Sequence, residues 1–273
     1  MLKELTLMGE VDKVQIALNR LKLHEAEALR MNPRGYYVAF SGGKDSCVVL
    51  DLCRRAGVAH HAHYALTTVD PPELVQFIKR EYPEAWENRE RPKLSMWELI
   101  VKKRLPPTRR MRYCCQYLKE GNGIGNFVLT GIRHAESLRR SKRKMEETCK
   151  NKGGKMYLHP IIDWSTSDVW EYIHAYHVHY CSLYDEGRER LGCVMCPYAK
   201  QSSRDADMKR WPKIAKCYER AFDRMIQKRK EDGMVCKWKS GHEVLKRWMN
   251  NDYSKPDDKS ISLFGMMLDE TDT

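Results

Sequence analysis

No apolar run in this 273-residue sequence is long. Uninterrupted stretches such as Cys47 to Leu50 span a few residues, far short of the roughly 20 needed to cross a bilayer, so no membrane span is expected. The opening MLKELTLMGEVDK carries acids and lacks an apolar core followed by a small-residue cleavage site. It does not read as a secretory signal, and the chain is expected to be cytoplasmic. Internal repeats and low-complexity segments are absent too. Acidic residues fall short of basic ones, 37 Asp plus Glu against 49 Lys plus Arg, a net charge of +12.

Hydrophobic residues make up 42% of the chain and aromatics 10%, which excludes wholesale disorder. The length suits one domain of about 200 residues with an appendage, or two small domains. The positive excess suits polyanionic partners, nucleotides and nucleic acid, or else a solvated basic surface. In a reducing compartment, ten cysteines favour metal binding or burial over a disulfide framework.

From Val11 through Val14, Leu18, Leu21 and Ala28 apolar residues recur at helical steps and stop at Asn32-Pro33, predicting an amphipathic N-terminal helix. YYVAF (36–40) reads as a strand that stops at Gly42-Gly43, and DSCVVLDLCRRAG as a helix closed by Gly57. Strand, glycine turn and helix open a βαβ unit. A strand over 60–66 follows, then a helix over 73–82 entered through Asp70-Pro71-Pro72. Residues 83–107 read as an excursion with one helix over 95–103, and 109–119 as a basic, cysteine-bearing helix. Strands are expected over 126–133 and 156–163, and a helix announced by Ser165 and Asp168. Further helices are expected over 211–230 and 242–249. The expected class is α/β, a parallel sheet with helices on both faces, preceded by an N-terminal helix and followed by a helical C-terminal extension. The expected division is a lead-in (1–34), a nucleotide-binding domain (35–200) and an extension (201–273).

Ser41-Gly42-Gly43-Lys44-Asp45-Ser46 sits between a strand's carboxyl end and a helix start, where open α/β sheets bind ligands. Two glycines let the backbone approach an anion, and the helix-start N–H groups favour negative charge. Ser41 and Ser46 add hydroxyls and Lys44 a point charge. The spacing is not that of a Walker A loop. It resembles the PP-loop, SGGxDS, of the ATP pyrophosphatases, or adenine nucleotide α-hydrolases. That resemblance implies ATP with Mg²⁺ as cofactor, cleaved between the α- and β-phosphates. An acceptor oxygen takes AMP, pyrophosphate leaves, and a second nucleophile displaces AMP.

Cys114-Cys115 and Cys193-Val194-Met195-Cys196 form a pair of pairs whose four thiolates suit either zinc or an iron–sulfur cluster. Arg109, Arg110 and Arg112 would help keep them ionised. Cys47, Cys53, Cys149, Cys181, Cys217 and Cys236 have no comparable spacing and read as buried or incidental. Two histidine groups, at 60, 61 and 63 and at 174, 177 and 179, read as packing or surface residues. Taken with the loop, the cysteines resemble the iron–sulfur branch of the phosphoadenosine phosphosulfate (PAPS) reductase family, over about Tyr36 to Pro197. The resemblance implies a [4Fe-4S] cluster on Cys114, Cys115, Cys193 and Cys196. TTVDPPELVQFI (67–78) and LTGIRHAESLRR (129–140) are similar to family segments, the second near the substrate's phosphate or sulfate. By that match Gly131, Arg133 and Arg139 line the nucleotide pocket, and Lys44, Asp45 and Arg133 are the expected catalytic residues.

Sulfonucleotide reductases of the family need a nucleophilic cysteine near a mobile C-terminus. Here the tail SKPDDKSISLFGMMLDETDT has none, and Cys236 has the wrong neighbours. The reductases also tend to have a degraded PP-loop, whereas this one is complete. Both departures point to adenylation coupled to cluster-assisted sulfur transfer, a pattern resembling DNA phosphorothioation and tRNA thiolation enzymes. That implies a nucleic-acid acceptor, with 104–112 and 139–144 as its candidate path, and a cysteine desulfurase or other sulfur donor. The rival expectations are sulfonucleotide reduction, and a non-catalytic nucleotide or nucleic-acid binding protein with a structural cluster.

Overall fold

The computed structural model describes residues 2–6, 9–149 and 154–252. In chain order the strands are β1 (Lys3–Thr6), β2 (Gly9–Asp12), β3 (Tyr36–Phe40), β4 (His60–Tyr64), β5 (Phe127–Leu129), β6 (Glu146–Cys149) and β7 (Lys155–Leu158). The helices are α1 (Lys13–Met31), α2 (Lys44–Ala56), α3 (Pro72–Glu81), α4 (Pro83–Glu87), α5 (Met96–Lys103), α6 (Tyr113–Cys115), α7 (Thr166–Ala175), α8 (Gln201–Arg210), α9 (Pro212–Glu231) and α10 (Gly241–Met249). None among the described residues is long and apolar enough to cross a membrane. The chain forms two compact units, one of 1–93 with 115–193 and one of 94–114 with 194–273. Residues 253–273 of the expected extension lie outside the described residues.

The first unit is α/β. Its five-stranded sheet runs β4-β3-β5-β7-β6, parallel except for the β6–β7 edge, and helices flank it. Tyr36, Tyr37, Val38 and Phe40 of β3 are all buried, which is why this segment reads as continuous apolar and aromatic sequence rather than as an alternation. Alpha-helix α1 begins where Asp12 accepts from the Gln15 N–H at 2.9 Å, and ends at Asn32, before Pro33. The Tyr36 hydroxyl donates to Leu21 O at 2.7 Å, fastening α1 to the sheet. Helix α2 buries Cys47, Val48, Val49, Leu50, Leu52 and Cys53 and closes on Gly57 at φ +71°. Helix α7 begins with the expected reciprocal cap between Ser165 and Asp168.

From β3 the chain crosses to β4 on one side, then returns to β5 on the other. The loops after β3 and β5 therefore diverge, which opens a crevice at the carboxyl end of the sheet.

The second unit is helical, and α5 packs on α9 within it. Trp97, Tyr218, Phe222 and Trp248 form an aromatic cluster, and Trp248 Nε1 donates to Pro107 O at 2.7 Å. The grouping thus differs from a linear three-part division. The lead-in helix packs within the α/β unit; of the excursion, 83–93 stay with that unit, and the stretch from residue 94 joins the C-terminal helices because Met96, Leu99 and Ile100 need a partner face. The helix expected over 109–119 is shorter. The Thr108 hydroxyl accepts the N–H groups of Arg110 and Met111, which holds that stretch in a turn. Only 113–115 is α-helical, followed by a wider π-type turn over 116–120. The expected strands shorten to β5 and β7, while β1, β2, β6, α4 and α8 were not anticipated.

Candidate nucleotide site

The SGGKDS loop is built where β3 ends. Gly42 adopts φ +71°, and a Cβ there would come within 2.7–2.8 Å of Ile78 and Leu74 methyls, so both backbone and space require glycine. Ser46 Oγ donates to Gly43 O at 2.8 Å and accepts the Ser41 N–H at 3.3 Å, and Ser41 Oγ lies 3.2 Å from it. The two serines expected to bind phosphate thus brace the turn across its mouth. Gly43, the N-cap of α2, has no side chain with which to cap the helix start. The Lys44 N–H instead donates to the Tyr184 hydroxyl at 3.0 Å.

Lys44 and Asp45 are held by remote groups. Lys44 is 4% exposed, with Nζ 3.3 Å from Asp45 Oδ2 and 3.4 Å from Glu189 O. Arg133 Nε donates to Asp45 Oδ1 at 2.7 Å. Its Nη1 reaches Trp164 O at 3.2 Å and Thr166 Oγ1 at 3.4 Å. At 2% exposure, Arg133 faces inward and orients Asp45. The Gly131 backbone lies so close to Asp45 that a Cβ would meet the Asp45 backbone at 2.8 Å. The chain just after β5 therefore packs on the first turn of α2 at the switch point. Arg139 is exposed in the turn that follows. The structure brings together 41–46, Gly131 and Arg133.

Of the four cysteines singled out for metal, all are partly exposed, whereas Cys47, Cys53 and Cys181 are buried. Cys115 and Cys193 belong to the first unit, Cys114 and Cys196 to the second. Cys193 Sγ donates to Thr67 Oγ1 at 3.6 Å. The Lys119 ammonium is held well above its ordinary range, chiefly by the charge of Cys193 and further by Asp70 and Cys115. Asp70 is itself fixed by the Tyr64 hydroxyl at 2.5 Å and the Thr67 N–H at 3.0 Å. Among the described residues no group of three or more His, Cys, Asp or Glu is arranged to hold a metal ion.

Tyr184 and Lys119 escaped the sequence reading. Tyr184 had no flag, since a tyrosine far along the chain says nothing of a helix start at 44. Lys119 lies four residues after Cys115, so a cation one turn beyond a cysteine pair was the available signal.

A family model described as phosphoadenosine phosphosulfate reductase domain matches residues 35–199. The chain belongs to this family. The matched domain carries the crevice, the loop and all four cysteines. An uncharacterized protein of Methanocaldococcus jannaschii is 32% identical over 171 residues, 59% of this chain and 41% of that protein. A probable FAD synthase of Schizosaccharomyces pombe is 29% identical over 165 residues, 59% of this chain and 60% of its own length. An adenosine 5'-phosphosulfate reductase of Oceanobacillus iheyensis is 26% identical over 185 residues, 63% of this chain and 75% of the reductase. The chain thus spans about two fifths of the first of these relatives. Among solved structures, PAPS reductase from Candida auris in a phosphate complex aligns with 70% of this chain and 96% of its own, at 20% identity and a TM-score of 0.46. Candida glabrata FMN adenylyltransferase aligns with 67% and 61%, at 15% identity and a TM-score of 0.49.

Proposed function

We propose that this PAPS reductase family domain binds ATP with Mg²⁺ through residues 41–46 and cleaves it at the α-phosphate. The acceptor oxygen bonds to the α-phosphorus, the bond to the β-phosphate oxygen breaks, and pyrophosphate leaves with that electron pair. A sulfur nucleophile then displaces AMP. The observation that carries this reading is the complete SGGKDS turn with Asp45 gripped between Lys44 and the buried Arg133. In this scheme Lys44 meets the charge of the departing pyrophosphate, and the start of α2 favours the same anion. Asp45 is the loop carboxylate that would hold Mg²⁺, which supplies charge neutralisation when bound. Arg133 keeps Asp45 oriented rather than touching the nucleotide. The purified protein, given ATP, Mg²⁺ and acceptor, is expected to yield AMP and pyrophosphate in equal amounts. Asp45→Ala is expected to abolish both, and an Asp45→Ala protein of full activity would remove the assignment.

The reading includes a [4Fe-4S] cluster on Cys114, Cys115, Cys193 and Cys196. Its support is the chemistry of the donors, four thiols that are all partly exposed in a pair-of-pairs pattern. No step is derived through the cluster. Anaerobically purified protein is expected to carry iron and acid-labile sulfide in equal amounts, both lost in Cys193→Ala. Stoichiometric zinc instead would defeat the cluster.

The proposed acceptor is nucleic acid, with a cysteine desulfurase or comparable enzyme as sulfur source. Many basic residues of the two candidate stretches have local work. Arg109 donates to Pro197 O at 2.8 Å, Arg112 lies over Tyr198, and Arg143 pairs with Glu147. The exposed Arg110, Arg139, Lys142 and Lys144 carry this part, through phosphate contacts whose strength falls with salt.

A second reading, sulfonucleotide reduction, is favoured by relatives named adenosine 5'-phosphosulfate reductase. Sulfite released from adenosine 5'-phosphosulfate with a thiol donor, and no pyrophosphate from ATP, would establish it in place of the first.

A further inference from the structure

Helix α8 has no buried apolar residue. Of its ten residues only Arg204 and Asp207 are buried, three apart and so on one face, and both bond to the backbone of other segments. Arg204 donates to Met249 O at 2.9 Å and to Trp248 O at 2.8 Å, with its guanidinium over the Trp248 ring, which fastens α8 to the end of α10. Asp207 Oδ2 accepts the Met195 N–H at 2.8 Å. The helix is thus seated by one charged side chain while the other reaches the middle of Cys193-Val194-Met195-Cys196.

Met195 needs holding. Its φ is +57°, in the left-handed region where a residue with a Cβ is strained. A positive φ at the third of four residues is what a type II or type I′ turn requires, and glycine or asparagine ordinarily supplies it. Here a methionine does, in a segment whose middle is inside the protein. Val194 and Met195 are fully buried, while Cys193 and Cys196 are partly exposed. The Tyr218 hydroxyl of α9 donates to Val194 O at 3.3 Å, and the Ala199 N–H to Cys196 O at 2.9 Å. A hydrogen bond from a buried amide to a carboxylate is among the stronger ones, so the contact to Asp207 offsets the strain at Met195. Asp207 lies beyond residues 35–199, the extent of the family domain.

We infer that Asp207 is a positioning residue for the C-x-x-C motif: by accepting the Met195 N–H it holds the left-handed turn that presents Cys193 and Cys196 together to a thiolate-bound cluster. The inference rests on the cluster reading above. It gives α8 a task that its composition alone does not explain.

The test follows iron loss from anaerobically purified protein after a chelator is added, read by visible absorbance, with thermal unfolding measured on each variant. Asp207→Ala is expected to lose iron about tenfold faster than the natural protein, as for other residues that orient metal ligands. Asp207→Asn keeps a carbonyl acceptor and should stay within about threefold. Adding Met195→Gly to Asp207→Ala should slow the loss again, because glycine adopts a positive φ without strain. The same change empties the space of a buried side chain and should lower the unfolding temperature further. Iron held better by a less stable protein is a split that a merely structural Asp207 would not produce. Asp207→Ala releasing iron at the natural rate would overturn the inference, and so would Asp207→Asn releasing it as fast as Asp207→Ala. Should Asp207→Ala fail to fold, Asp207→Glu takes its place, since it keeps the charge but displaces the acceptor, and it must lose iron at least about threefold faster. A natural protein that carries no iron would instead remove the cluster reading, and this inference with it.

Discussion

Asp45 is where the site is most exposed to failure, because its carboxylate is oriented by two cations from different parts of the chain. Arg133→Met would leave Asp45 facing an apolar side chain and strand the carbonyl of Trp164. Breaking a buried pair on one side costs about 3 kcal/mol, and urea unfolding is expected to show a loss of that order together with weakened ATP binding. Gly131→Ala acts differently. Its Cβ would press on Asp45 backbone, which cannot move aside as a flexible side chain would. Nucleotide affinity is therefore expected to fall more than stability, read by titration beside thermal unfolding. At this scale the loop was legible because its six residues are contiguous and each has a chemical reason to be there. The partners that hold it, Arg133 and Tyr184, come from 88 and 140 residues further along. Only the family resemblance pointed to Arg133, and it suggested a ligand contact where the structure gives an inward ion pair.

Helix boundaries were readable wherever a cap states itself. Ser165 and Asp168 bond reciprocally at the start of α7, as their spacing promised, and Ser165→Ala is expected to cost about 1 kcal/mol, measurable by chemical denaturation. Beta-strand β6 was hidden because EETC has neither alternation nor apolar content, and it is a strand through its antiparallel pairing with β7. The sequence announced a helix over 95–103 but not the helix its buried face, Met96, Leu99 and Ile100, would meet. Since Trp248 bonds Pro107 and packs on Tyr218 and Phe222, Trp248→Ala is expected to cost about 4 kcal/mol. Hydrogen exchange should show residues 94–114 losing protection together with α9 and α10. Protection retained over 94–114 would separate that stretch from the C-terminal helices.

Across the whole molecule, two buried imidazoles make stability depend on pH. His61 and His159 are each pushed down to about 4, first by burial and then by positive neighbours, against about 6.5 in an unfolded chain. Between those values the unfolded chain binds more protons than the folded one, so acid favours unfolding. From pH 6.5 to 5, above most carboxylate titration, unfolding free energy is expected to fall by up to about 1.4 kcal/mol per pH unit for each histidine. His159→Gln should flatten the slope by one group's share. A flat profile in the natural protein would contradict the burial of both rings.

The helical unit is made from two stretches with 115–193 spliced between them, and this sets a schedule for synthesis. When residues 94–114 leave the ribosome, the surfaces that will cover Trp97, Leu99 and Ile100 have not yet been translated. At about 5–20 residues per second, several seconds pass before α9 emerges. During that interval the nascent chain displays an oily segment that chaperones, or a neighbouring polypeptide, can reach first.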